Sequence, residues 1–160
     1  YEGADNETAF VDELRGMSTS TVSLSSARNV SAADKAEAQR LNREGEAAYH
    51  RPDYETAIRM FQQAIDLDPD YAQAYSNLGL TFQKAGNEAE AIWANRKGIA
   101  LASGPNANRV RASSYYNIAR IYEAKQQWRQ AMETFQSAES EKHHESYVKG
   151  IARMKAKLGE

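Results

Sequence analysis

Catalysis needs polar groups that converge in a pocket, with a nucleophile or a general acid and base oriented by neighbours. This chain offers few of them. It has three histidines and no cysteine. His143 and His144 are adjacent, so on a helix their side chains point about 100° apart and cannot both ligate one metal from that helix. Glu145 follows and could join one of them, while His50 belongs to a distant segment; solvent-exposed histidines are the simpler reading. Without cysteine there is no disulfide framework, thiolate metal site or cysteine nucleophile. A Gly-rich phosphate loop, a Gly-x-Ser-x-Gly elbow and a His-Glu-x-x-His pair are all missing from the sequence. The expectation is no enzyme, no metal and no cofactor. What remains is the chemistry of amides, tyrosines and mixed charges, which hydrogen-bond to other chains.

Composition narrows the classes. The 160 residues carry 20 Lys+Arg against 22 Asp+Glu, a formal charge of -2, with 41% apolar and 26% charged residues. This is the composition of a soluble globular chain of about one domain. No run approaches the roughly 18 apolar residues of a membrane-spanning helix, and the N-terminus lacks a secretory layout. The chain starts at Tyr1 rather than a methionine, which suggests a processed product or a piece of something longer. Localisation stays open between cytoplasm and periplasm. The near-neutral total argues against nonspecific nucleic-acid binding. The total hides a gradient, with net charges of -3 for residues 1–32, -4 for 33–70, +1 for 71–108 and +4 for 109–160. Such a gradient orients a molecule on a partner or favours head-to-tail self-association, unless these charges are only solvated faces.

The elements that must position these side chains are helices. Three Pro and nine Gly, with long Ala/Glu/Gln/Arg-rich tracts, favour helix over strand. The sequence also repeats. Tyr75, Asn77 and Ala91 have counterparts 40 residues on in Tyr115, Asn117 and Ala131. Leu41, Gly45, Ala57, Ile65 and Leu67 stand 34 residues before Tyr75, Gly79, Ala91, Ile99 and Leu101. Tyr75, Leu78, Gly79 and Phe82 form one apolar stripe, Gly86-Asn87 ends that helix, and Ala89, Ile92, Trp93 and Ile99 resume the period on a partner helix. Neither helix buries its stripe alone, so neighbouring pairs must stack. Pro69 ends the second helix of the first copy, and Asp70 is placed to cap the next.

These residues resemble the tetratricopeptide repeat, a 34-residue helix-turn-helix unit. The first copy, 38–71, shows Leu41, Gly45, Ala57, Phe61, Ala64 and Pro69; the second, 72–111, shows Tyr75, Leu78, Gly79, Phe82 and Ala91. The third, 112–143, shows Tyr115, Ile118, Ala119, Tyr122, Ala131, Phe135 and Ala138. The resemblance implies an all-α fold, a right-handed α-solenoid of antiparallel helix pairs with about seven helices. Asn95 in place of an aromatic, Gly98 in place of Ala, and the insertion Gly104 to Arg109 should loosen the stack before the third copy. Tyr147, Ile151, Met154 and Leu158, flanked by Lys149, Arg153, Lys155 and Lys157, read as a capping helix over about 144–158, apolar toward the last repeat and basic toward water. A membrane-surface or partner helix is the alternative reading of that stripe. Residues 1–30 read as an N-terminal extension, with a short amphipathic helix at Phe10, Val11, Leu14 and Met17 and a Ser/Thr-rich linker from Ser18 to Ser26. Ser31 with Asp34 marks the start of the 31–160 repeat domain.

The resemblance further implies a concave groove lined by the first helix of each pair. Its partner-binding positions fall on Asn42, Glu46 and Tyr49, on Gln73, Asn77, Leu80 and Lys84, and on Tyr116, Asn117, Arg120 and Glu123. An asparagine amide donates to a peptide carbonyl and accepts from its N–H at once, which is what Asn77 and Asn117 would offer an extended chain. The same amides also read as surface or helix-packing groups. One subset of the family grips the C-terminal carboxylate of heat-shock chaperones with Lys, Asn, Asn, Lys and Arg. Here those positions hold Asn42, Glu46, Asn77, Ser113 and Asn117; only Asn77 fits, and Glu46 would repel a carboxylate. The expectation is a non-catalytic module that binds a peptide segment or helix of a protein partner, as adaptor, scaffold or assembly factor. The alternative is a homo-oligomer built through the acidic front, the basic C-terminal helix or an exchanged N-terminal segment.

Overall fold

Ser31 opens the first helix: its hydroxyl accepts from the Asp34 backbone N–H at 3.0 Å, satisfying a donor that the first turn leaves unpaired. The computed structural model describes residues 29–160. The expected amphipathic helix and the Ser/Thr-rich linker lie outside the described residues. Among these there are seven helices and no strand, and they divide into two units after Tyr71.

The first unit pairs α1 (Ala32–His50) with α2 (Tyr54–Leu67). Ala38, Leu41, Gly45 and Ala48 recur every three or four residues and bury one face of α1 against Ala57, Phe61 and Ala64 of α2. A Cβ at position 45 would lie 2.5 Å from the Phe61 ring, so the glycine is what lets the ring lie against the α1 backbone. Asp53 caps α2 by accepting from the Thr56 N–H at 3.3 Å. Asp68, held extended before Pro69, ends it. The first helix begins upstream of the repeat register at 38, because the cap at Ser31 and an Ala-rich tract carry it back to Ala32.

The second unit holds α3 (Ala72–Lys84), α4 (Glu88–Leu101), α5 (Ala107–Ala124), α6 (Trp128–Glu141) and α7 (Glu145–Leu158). Helices pack as the pairs α3/α4 and α5/α6, α3 and α4 both meet α5, and α7 lies on α6. Tyr71, not Asp70, is the residue next to α3, so Asp70 stands one position outside the cap site expected of it. At the end of α3, Gly86 takes φ +87° and the Asn87 N–H returns to the Phe82 carbonyl at 2.8 Å. The same closure after α5 uses Gln126, at φ +60°. Ala119, Ala131, Met132, Phe135 and Met154 form a core under α7, with Tyr116, Tyr122, Trp128, Ile151 and Leu158 around it.

The expected loosening before the third repeat is not found. Asn95 is fully buried, its Nδ2 donates to the Ala91 carbonyl at 2.8 Å, and its Oδ1 accepts from Asn117 Nδ2 at 3.0 Å. Ser114 Oγ meets Ser76 Oγ at 3.0 Å. A Cβ on Gly98 would come within 3.0 Å of Ser114 Oγ and 3.3 Å of the Ala72 carbonyl oxygen. Small residues and hydrogen-bonded amides close the joint where an aromatic was expected. The insertion is absorbed as well: Gly104 turns the chain at φ +76°, and Ala107 to Arg109 extend α5.

Candidate functional site

In the first unit, Asn42 is 4% exposed and donates to Glu46 at 3.0 Å. Asn42 also hydrogen-bonds the Tyr71 phenol, whose pKa is pushed up, chiefly by burial. Tyr49 packs its ring 5.7 Å from Tyr54 and 5.4 Å from His50. Burial first, and Tyr54 second, push its phenol up.

On α3, Gln73 Nε2 donates to Asn77 Oδ1 at 3.1 Å, with both residues half-buried. Leu80 is half-buried and Lys84 exposed at the helix end. On α5, Asn117 turns inward: it is 5% exposed and spends its Nδ2 on Asn95. Its counterpart Asn77 keeps more exposure, so equal places in the repeat carry unequal roles.

Tyr116, Arg120 and Glu123 are brought together with α7. They and Ala124 form one wall of a cleft of about 400 Å³, and Ser146, Lys149 and Arg153 form the other. Arg153 binds Glu123 through two bonds, Nε to Oε2 at 2.9 Å and Nη2 to Oε1 at 3.0 Å. Paired donors of this kind fix orientation as well as charge, and the hydrogen bond to Glu123 raises the pKa of Arg153. Arg120 Nε stands 3.5 Å from the same carboxylate, and its Nη1 donates to the Tyr116 phenol at 3.0 Å. Tyr116 in turn lies 5.4 Å from Tyr147 and 5.9 Å from Phe135. The cations of α7 therefore do not all face water as expected. Arg153 turns to Glu123, and Lys157 lies 5.3 Å over the Trp128 ring. The α7 wall was missed in the sequence, although Ser146, Lys149 and Arg153 recur at the helical spacing of one face.

α7 reaches this position through its own start. His144 Nδ1 accepts from the Ser146 N–H at 3.1 Å and so caps the helix, while the His144 N–H donates to Glu139 at 3.1 Å. His143 also bonds Glu139, and these two partners hold the Glu139 carboxyl below its usual range, the His143 bond first. Gly150 sets the approach: a Cβ there would lie 2.7 Å from the Phe135 ring. Among the described residues no group of three His, Cys, Asp or Glu could hold a metal ion, and no helix is long and apolar enough to cross a membrane.

Comparison with known proteins places this arrangement. A family model described as a TPR repeat matches residues 45–86, and one described as a tetratricopeptide repeat matches residues 113–141. No curated protein matches the sequence. The Arabidopsis OM64 TPR domain superposes with a TM-score of 0.69 at 16% identity, covering 78% of this chain and 98% of that one. The N-terminal domain of stress-induced protein-1 from C. elegans gives 0.68 at 22% identity, covering 78% and 99%. The first TPR of Spaghetti (RPAP3), bound to the HSP90 peptide SRMEEVD, gives 0.68 at 16% identity, covering 79% and 96%. The fold is that of an all-α helical-repeat solenoid.

Proposed function

We propose that this chain, which belongs to the tetratricopeptide-repeat family, is a non-catalytic interaction module that holds a segment of a protein partner against α3, α5 and α7. The observation that carries the reading is the α5–α7 cleft, where a tyrosine, two arginines and a lysine surround one carboxylate in about 400 Å³. A space of that size takes a side chain with its flanking backbone. Gln73 and Asn77 extend the polar surface along α3, with Leu80 and Lys84 beyond them. Asn42, Glu46 and Tyr49 are the corresponding candidates of the first unit.

The RPAP3 repeats are described with an HSP90 peptide bound, which supports a peptide ligand in general. The chaperone-tail clamp is not the reading adopted, because Glu46 stands at a clamp position and Asn42 and Asn117 are both buried. An internal segment or a helix of a partner suits the mixed surface better.

The test is affinity capture with the wild-type chain and an Asn77→Ala/Arg120→Ala variant of equal melting temperature. A protein held by the first and lost by the second supports the reading; equal recovery by both overturns it. Recovery of the chain itself, released by high salt, would favour self-assembly instead.

A further inference from the structure

We infer that the α5–α7 cleft receives an acidic side chain of the partner, and that Glu123 is a resident carboxylate that competes with it. This rests on the reading of the site as a protein-binding surface. Arg120, Lys149 and Arg153 line the cleft with Glu123 as the one lining acid.

The cations are not equally committed. Arg153 is held by two short bonds to Glu123. Arg120 reaches the same carboxylate through a single 3.5 Å approach, and its side chain stays 49% exposed. A guanidinium carries five N–H donors in a fixed fork, and the Tyr116 phenol takes one of them. Lys149 pairs with Glu145 at 3.1 Å, but these side chains are 68% and 77% exposed. A surface pair of this kind contributes little and exchanges readily.

The wall behind the cations is aromatic, with Tyr116 packed between Phe135 and Tyr147. A low-dielectric wall strengthens charge pairing at its surface. The Tyr147 phenol, neutral near pH 7 like any phenol and pushed further up chiefly by burial, adds no negative charge against an incoming acid. An entering carboxylate would take Arg120 and Lys149, while Glu123 keeps Arg153 aimed across the cleft. Removing the Glu123 charge should then strengthen acidic ligands, and removing Arg120 or Lys149 should weaken them.

The experiment is selection of a random dodecapeptide phage library on the full chain, followed by titration of the selected peptides as synthetic, fluorescently labelled probes. Each is paired with a copy in which Asp and Glu are replaced by Asn and Gln. The expected result is enrichment of acidic residues and a tenfold or greater loss in the neutral copies. Glu123→Gln should bind the acidic peptides several-fold more tightly, and Arg120→Gln or Lys149→Gln several-fold more weakly. Lys149 is exposed enough for its replacement to leave the melting temperature unchanged, which keeps the test valid if Glu123→Gln disturbs α7. Peptides that bind but show no acidic preference, or an acidic preference unmoved by Arg120→Gln and Lys149→Gln, overturn this inference and leave the proposed function standing. A library that yields no binder overturns both.

Discussion

At the scale of single residues, the close approaches are the sharpest commitments. A methyl group at Gly79 would lie 2.3 Å from Asn95 Nδ2, and that amide is already tied to the Ala91 carbonyl. Gly79→Ala should therefore cost about 1–3 kcal/mol, read from urea denaturation. Gln126 offers the opposite case. It sits at φ +60°, a backbone region that side-chain-bearing residues rarely adopt, where the preceding repeat has Gly86. Gln126→Gly should raise stability by about 1 kcal/mol, the removed strain exceeding the added chain entropy. An unchanged or lower urea midpoint would contradict this. Gly79 was legible from the apolar stripe around it, Gly45 from its place opposite Gly79 in the repeat, and Gly86 as the turn residue that ends the helix with Asn87. The inward turn of Asn117 was not, because its partner Asn95 comes from another helix and periodicity does not report which polar groups meet.

At the scale of elements, two joints carry the second unit. Between α4 and α5, Asn95 and Asn117 share a buried hydrogen bond of 3.0 Å. Truncating Asn117 to Ala leaves the Asn95 oxygen short of a donor and should cost about 1–3 kcal/mol. Asn95→Ala and Asn117→Ala combined should destabilise by less than their sum, with a coupling of about 1 kcal/mol in a double-mutant cycle. Between α6 and α7, Glu139 receives His143 and the His144 backbone N–H. Its folded pKa lies below the ordinary 4.5. The stabilisation it supplies is thus complete above that value and is lost as pH falls through the lower folded value. Melting temperatures of wild type and Glu139→Gln should differ at pH 7 and converge in acid; a constant gap would contradict the assignment. The helices and their pairing were legible from stripes and turn residues. The start of α1 was legible from Ser31 with Asp34, whereas α5 begins at Ala107, ahead of the register at 112, because a repeat register does not show how far a helix-forming tract extends a helix beyond it.

At the scale of the molecule, charge separates along the chain, and the stretch 109–160, at net +4, holds the cleft. Binding of an acidic segment there should weaken steeply with salt, since exposed charges are screened within about 8 Å at physiological ionic strength. Affinity that is flat in NaCl would point to an apolar contact instead. The sequence carries the basic stripe of α7, but its direction depends on Glu123, 30 residues away, and so becomes visible only with α5 and α7 in place. The proposed function has partners engaging the face of α5 and α7, which photo-crosslinking from an unnatural benzoylphenylalanine in cell extract can check. One position is Ala124, exposed at the cleft wall, and the control is Arg96, exposed on α4. The account predicts a discrete crosslinked protein from Ala124, abolished by Arg120→Ala, and none from Arg96. The same product from Arg96, with none from Ala124, would contradict it.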